Sequence, residues 1–465
     1  MTSPPQARTI ATLLGNAIDQ DPSQRPATGI FRGMSGVRSR VLAGTGANLV
    51  AQGVGAGVQL LSLPMFLYFW DAARYGKWLM LSAVPAYFAM SDGGIVPVAA
   101  NKISMLRASG DSLQANVVFQ SALALVLSAI ISMGSIAALI LVLLGNGVLD
   151  ADSRLALWLL ILATLVSLFG GLFDAGFRAY GSYAQGVLWT NGFRVFEFVG
   201  LATGIALGGT FTAAAMGTLA ARCAGSLMLG RICRRRFPTL RWGLAHASRR
   251  ELRALLRPAL AYLVFPLGNG LNIQAVTLIV GALFGAIAVA TFNTYRTISR
   301  IVVQMTSTFS HAIWVEFSRL YGAGDSAALR LVYRQGLLVG GAISVLLSLA
   351  MIPMAPMLLQ WWTHGKIAFD ALLFSLFALA TLVGSLSHVP RVLLLSTNRH
   401  GRLSAIYLVV SATGVFATLL AAKILGPSGA VLAIIVVESG MVFLTMTFAR
   451  GMLDEMRGEP RHDAR

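Results

Sequence analysis

Long apolar runs alternate with short polar breaks along almost the whole chain. After a polar stretch over residues 1–40, the runs fall at 41–68, 78–99, 117–145, 154–176, 187–208, 211–232, 258–283, 289–315, 335–359, 371–394, 403–424 and 429–449. A membrane-spanning helix needs about 20 apolar residues, so each run predicts one span and the total is twelve. Helices follow from the solvent. In lipid each segment must satisfy its own backbone hydrogen bonds, and the long uncharged runs lack the alternation of barrel strands. The expected fold is an all-α polytopic membrane protein. The first 40 residues carry Pro4, Pro5, Pro22 and Pro26 and no apolar core for a cleaved signal. They predict a polar cytoplasmic tail, with a short amphipathic piece near Thr9 to Ile18.

Composition agrees with this pattern. Of 465 residues, 56% are hydrophobic and 12% charged, against about 25% charged in soluble chains. That excludes a soluble enzyme, a disordered chain and a secreted disulfide scaffold. Cys223 and Cys233 lie ten apart on one helix and its end, on different faces, so neither a disulfide nor a metal site is expected.

The net charge of +18 would suggest nucleic acid in a soluble protein, but here its placement explains it better. With the N-terminus in the cytoplasm, 26 of the 36 basic residues fall on the cytoplasmic side, five in outer loops and five within spans. This is the positive-inside pattern. It predicts both termini inside and no nucleic-acid partner. The middle loop alone holds Arg231, Arg234, Arg235, Arg236, Arg241, Arg249, Arg250, Arg253 and Arg257. It is either a topology anchor on anionic headgroups of the membrane lipid or a docking site for a partner or an anionic substrate.

Two loops repeat. Ile103 to Ser112 reads ISMLRASGDS, and Phe317 to Ser326 reads FSRLYGAGDS, at an offset of 214 residues. The same offset carries the first span to the seventh and the third to the ninth. The chain is therefore expected to form two six-helix bundles of the same orientation around a central cavity. The expected divisions are a tail over 1–40, a bundle over 41–232, a linker over 233–257, a bundle over 258–449 and a tail over 450–465.

Ionisable residues inside spans are the candidates for chemistry, because a charge in hydrocarbon costs about 2.5–3.5 kcal/mol on insertion scales. In the eighth span Asn293, Arg296, Thr297, Arg300, Gln304, Ser307, Thr308 and His311 fall within one sector of about 120°. Such a stripe is either interhelical glue or the wall of a watery pathway. Two arginines four apart, each needing its own acid, argue for the pathway. The first span repeats the pattern more weakly with Asn48, Gln52, Gln59 and Ser62. Its Gly53, Gly55 and Gly57 fit close helix packing rather than a nucleotide loop. Arg222 lies near the middle of the sixth span, and Arg391 and His388 toward the cytoplasmic end of the tenth. Arg194 and Glu197, three apart, predict a local ion pair. Asp92, Asp174 and Glu438 are candidates for coupling to an ion, or are satisfied structural carboxylates. Five arginines against four acids within the spans favour an anionic, hydroxyl-rich substrate over a cation, since the guanidinium fork suits phosphate.

The SDGGI stretch from Ser91, the NKISMLRASGD loop and the NTYRTISR run from Asn293, followed by HAIWVEFSRL, resemble bacterial O-antigen and exopolysaccharide flippases. These are the Wzx-type members of the multidrug/oligosaccharidyl-lipid/polysaccharide (MOP) exporter superfamily, and the likeness spans roughly residues 41–450. It implies alternating access by two bundles in the bacterial inner membrane. It implies as cargo an oligosaccharide unit on undecaprenyl pyrophosphate, and as partners the polysaccharide polymerase and assembly proteins. It also implies drive by a proton or sodium gradient and no bound cofactor. Arg296 and Arg300 match a basic stretch of the family's eighth helix, and Asp92 its second-helix aspartate. On this basis Arg222, Arg296, Arg300 and Arg391 are expected to hold pyrophosphate or acidic sugar. Asn48, Gln52, Asn293 and Gln304 are expected to meet sugar hydroxyls. The alternative is a cation-coupled multidrug exporter of the same architecture, with Asp92 or Asp174 central. A membrane glycosyltransferase or polymerase is disfavoured, because no nucleophile–base pair, metal-ligand set or large outer loop is evident.

Overall fold

A computed structural model describes residues 29–456 apart from 91–93, 109, 144–148, 181, 323, 398 and 400. The described residues are helical almost throughout. The helices are α1 (Gly29–Phe69), α2 (Ala72–Met90), α3 (Ile95–Ala108), α4 (Ser112–Leu143), α5 (Ala151–Ala179), α6 (Tyr183–Gly208) and α7 (Phe211–Arg236). A second series follows: α8 (Arg249–Gly270), a π-helical turn at Leu271–Ala275, α9 (Val276–Ala312), α10 (Trp314–Gly322), α11 (Ser326–Thr363), α12 (Ala371–Leu386), α13 (His388–Ser396) and α14 (Gly401–Glu455).

Seven helical stretches among the described residues are long and apolar enough to cross a membrane. Two of these, Leu267–Ser318 and Arg402–Glu455, are too long for one crossing at 52 and 54 residues. A straight helix of that length would reach about 80 Å, against a hydrocarbon core of about 30 Å. Both fold back at a glycine. Gly285 has φ 81° and ψ −178°, and Gly426 has φ 69° and ψ −157°, a region that side chains with a Cβ rarely enter. The arms then lie antiparallel. Arg296 reaches the carbonyl of Ile273 across the first hairpin at 3.1 Å. A Cβ on Gly414 would lie 2.6 Å from the Val437 side chain across the second. With α2–α3, α8–α9, α9–α10 and α12–α13 each taken as one traverse, the described chain crosses twelve times, in two sets of six.

The helix ends differ from expectation in three places. α1 begins at Gly29, so residues 29–40 of the expected tail are helical. The non-helical linker is only 237–248, because α7 runs to Arg236 and α8 starts at Arg249. α14 continues to Glu455, past the expected end at 449.

The duplicated loops have the same internal bonding. Gly110 and Gly324 both take positive φ (85° and 70°). Asp111 N–H donates to Leu106 O at 2.9 Å, and Asp325 N–H to Leu320 O at 3.1 Å. Each aspartate then caps the next helix, accepting from the N–H of Gln114 and of Ala328, both at 2.9 Å. A left-handed glycine followed by an N-cap aspartate is a helix-stop and helix-start signal. Its recurrence at the same offset shows the repeat at atomic level.

The halves meet along α2–α3 against α8 and the first arm of α9. A Cβ on Gly76 would lie 1.7 Å from the carbonyl of Ala286, just past the Gly285 bend, so the two backbones touch there. Near the linker, Lys102 of α3 pairs with Glu251 of α8 at 2.5 Å, and Gln114 Nε2 donates to the same carboxylate at 3.1 Å. The far end of the molecule is closed across the other side. Pro64 has no N–H to give the Leu60 carbonyl. Trp362 of α11 supplies one instead, at 2.7 Å. Lys366 Nζ donates to the α1-end carbonyls of Leu67 and Trp70. Phe66, Trp70, Tyr75, Trp78 and Phe211 stack beneath with ring centroids 5.1–6.3 Å apart.

Candidate functional site

Each half holds a partly open cavity that charged and polar side chains enter, and the two differ in charge. The C-terminal cavity, about 370 Å³, is walled by α9, α12, α13 and both arms of α14. Arg296, Arg300, Gln304 and Ser307 enter it from one face of α9, His388 and Arg391 from α13, and Glu438 from α14. This is the polar stripe of the eighth span, but only half of it. Thr297 lies instead in a small apolar pocket against Leu60 and Pro64 of α1.

Arg296 is fixed from below. Its Nη1 donates to the Ile273 carbonyl (3.1 Å), Thr277 Oγ1 (3.1 Å) and Asn293 Oδ1 (3.3 Å). Ile273 lies in the π-helical turn Leu271–Ala275. Such turns open the regular backbone ladder and recur at functional sites. Asn293 therefore backs Arg296 rather than facing the cavity. The second guanidinium nitrogen, Nη2, is buried and has no hydrogen-bond partner. Arg391 Nη2 donates to Ser387 Oγ at 2.7 Å. Glu438 lies against the α12 backbone, where a Cβ on Gly384 would come within 3.0 Å of its carboxylate. Among the described residues it makes no ion pair within 4 Å. Three guanidiniums and a histidine thus share this space with one carboxylate.

The N-terminal cavity, about 610 Å³, is larger and its central charge is paired. Arg222 of α7 and Glu197 of α6 face each other with Nε and Oε2 3.2 Å apart. The Nε–H is off axis, so this is an ion pair without an aligned hydrogen bond. Arg222 Nη1 also reaches Thr164 at 3.4 Å. This corrects the expected Arg194–Glu197 pair: Arg194 projects from α6 onto α1 and lies against Gly55. Helical adjacency could not foresee that α7 offers Glu197 the more sheltered partner. Asn48 also lines this cavity and accepts from Tyr183 Oη at 3.1 Å.

The structure therefore divides the predicted set. Arg296, Arg300, Gln304, Arg391 and Glu438 meet in one cavity, and Asn48 and Arg222 in the other. Gln52 is exposed on α1 and lines neither. Asp92 and the Asp174 side chain lie outside the described residues. Sequence reasoning passed over Asn269, Asn272 and Tyr407 in the C-terminal cavity, where Asn272 Nδ2 donates to Ser411 at 3.2 Å. The signal was present in the Gly-Asn-Gly-Leu-Asn run from Gly268. It interrupts an apolar helix where the π-helical turn begins.

No protein-family profile and no curated protein matches the sequence. Solved structures do. An inward-facing multidrug resistance MATE family transporter of the MOP superfamily superposes with a TM-score of 0.68 at 14% identity, over 87% of this chain and 100% of that one. The fold is that of the MATE transporters. A MATE protein in its bent conformation gives 0.58 at 13% identity, over 87% and 98% of the two chains. An outward-facing MATE transporter gives 0.54 at 15% identity, over 90% and 95%.

Proposed function

We propose that this chain is a flippase of the Wzx type, moving undecaprenyl-pyrophosphate-linked oligosaccharide units across the bacterial inner membrane by alternating access. The observation that carries this reading is the C-terminal cavity. Arg296, Arg300 and Arg391 face a single carboxylate there, and Arg296 keeps a buried N–H group free. Holding that many cations in the membrane region costs several kcal/mol. An anionic cargo would offset the cost. Guanidiniums bind phosphate oxygens through paired charge-assisted hydrogen bonds, and the surrounding Asn, Gln, Ser and Tyr groups suit sugar hydroxyls. Glu438 is the acid of that cavity and the described group best placed to exchange a proton or sodium ion with the cargo. On the positive-inside rule the linker end is cytoplasmic, so the closed Trp362 end faces the periplasm and cargo enters from the linker side. Polysaccharide polymerase and assembly proteins would act on the delivered unit.

The test is deletion of the gene in its host, with surface polysaccharide and the complete lipid-linked unit both measured. Loss of surface glycan with accumulation of the complete unit is the expected result. Accumulation of a truncated unit would mean an enzyme of assembly instead. A second reading, a cation-coupled multidrug exporter, is favoured by the multidrug resistance transporter that shares the fold. It predicts unchanged glycan and resistance to cationic dyes on expression.

A further inference from the structure

A third recess lies between α5 and α7, on the opposite side of Ser226 from the N-terminal cavity, which that serine also lines. Its volume is about 450 Å³ and its wall is almost wholly apolar. From α5 come Val166, Phe169 and Phe173. From α7 come Cys223, Ser226, Leu227, Gly230, Arg231 and Arg234. The α7 positions follow helical spacing, so they form one stripe. That stripe covers eleven residues of rise, about 16 Å, which is half of a hydrocarbon core of about 30 Å. It runs the depth of one leaflet and ends in two arginines at the linker end.

The charged end is built rather than loose. Trp242 of the linker closes it, with ring centroids 4.9, 5.9 and 5.0 Å from Phe119, Phe169 and Phe173. The Arg234 guanidinium lies 5.9 Å from the Trp242 ring centroid. The linker backbone is strapped to α4: Asn116 accepts from Arg241 N–H at 2.8 Å, and Gln120 bonds both Arg241 O (3.0 Å) and His246 N–H (2.6 Å). No carboxylate lines the recess, and neither arginine forms an ion pair among the described residues. We propose that this recess binds one anionic phospholipid of the linker-end leaflet, its chain between α5 and α7 and its phosphate on Arg231 and Arg234.

The full chain purified in a neutral detergent tests this by native mass spectrometry with phosphatidylglycerol and phosphatidylcholine of equal chain length. Each arginine near a headgroup is worth about 1 kcal/mol, or about fivefold, so phosphatidylglycerol should be retained in clear preference. Arg231→Gln with Arg234→Gln should bring the two lipids to parity. Arg235→Gln with Arg236→Gln removes the same charge from the same turn outside the recess, and should leave the preference intact. Leu227→Trp, at a position 63% exposed, should fill the recess and reduce occupancy by both lipids without altering the melting temperature. Cys223 lines the recess, whereas Cys233 is buried with its thiol on the Phe173 carbonyl at 3.8 Å. Pyrene maleimide labelling of Cys223 should therefore be slowed by phosphatidylglycerol. Four outcomes would overturn the proposal: equal retention of both lipids, equal loss in the Arg235/Arg236 variant, protection by inorganic phosphate alone, or protection by dimerisation without lipid.

Discussion

The two cavities descend from equivalent halves of a duplicated fold, yet they treat buried charge in opposite ways. In the N-terminal cavity Arg222 is matched by Glu197 at 3.2 Å, and the pair holds α6 to α7. In the C-terminal cavity Arg296 is anchored on the backbone carbonyl of a π-helical turn, which neutralises nothing. The anchor fixes the guanidinium and leaves its positive charge uncompensated. The duplicated loops retain the same caps and turn glycines in both halves, while the charges of the two cavities differ. A repeated scaffold can thus pair the central arginine with a carboxylate in one half and leave three arginines to one carboxylate in the other.

The largest test of this contrast is Arg296→Ala with Arg300→Ala. Charge-assisted hydrogen bonds are worth about 1.5–3 kcal/mol each, so export of lipid-linked glycan should fall by about a hundredfold or more at equal protein level. Undiminished export would remove the C-terminal cavity from the mechanism. Next comes Arg222→Ala, which strands Glu197. The pair is about a quarter exposed, so the loss should be about 1–2 kcal/mol, between the exposed and buried limits, seen as reduced melting temperature and membrane yield. The double variant Arg222→Gln with Glu197→Gln should recover most of that loss and keep export within about threefold. Collapse of export in the stable double variant would make the pair functional rather than structural.

A smaller effect concerns the closed end. Trp362→Phe keeps the ring but removes the donor to the carbonyl freed by Pro64. Loss of one net hydrogen bond, about 1 kcal/mol, should raise labelling of the cavities from that end about fivefold. No change would show that Lys366 and the aromatic cluster suffice.

The smallest effects should be equal in the two halves. Asp150 caps α5 and Asp370 caps α12. Alanine at either should cost about 1 kcal/mol, measured by thermal unfolding. Hydrogen bonds from Ser153 hold the Asp150 carboxyl below its ordinary range. A depressed carboxylate stabilises above its unfolded pKa, so its contribution is present at neutral pH and lost as pH falls through the folded value. The Asp150→Ala deficit should accordingly shrink in acid.

Membrane residence, twelve crossings and the duplication were legible in the sequence. Each is a property of runs and spacings, and lipid allows apolar runs of that length one backbone solution. The stripe on the eighth span was legible for the same reason, because helical period alone places Arg296, Arg300 and Gln304 on one face. Partner choice was not. Glu197 has Arg194 on its own helix, but the fold brings it Arg222 from the next one. Asn293 shares the stripe but its Oδ1 accepts from Arg296 and Thr277, while its amide nitrogen donates to the Val289 carbonyl. The Gly-Asn-Gly-Leu-Asn run marks where the π-helical turn begins, but not that its Ile273 carbonyl would meet Arg296 from the returning arm. The sequence by itself thus determined which segments cross the membrane and which faces are polar, since both depend on one-dimensional period. Only the tertiary structure decided which buried charges are neutralised and which remain free, since that depends on groups far apart in the chain meeting within about 4 Å.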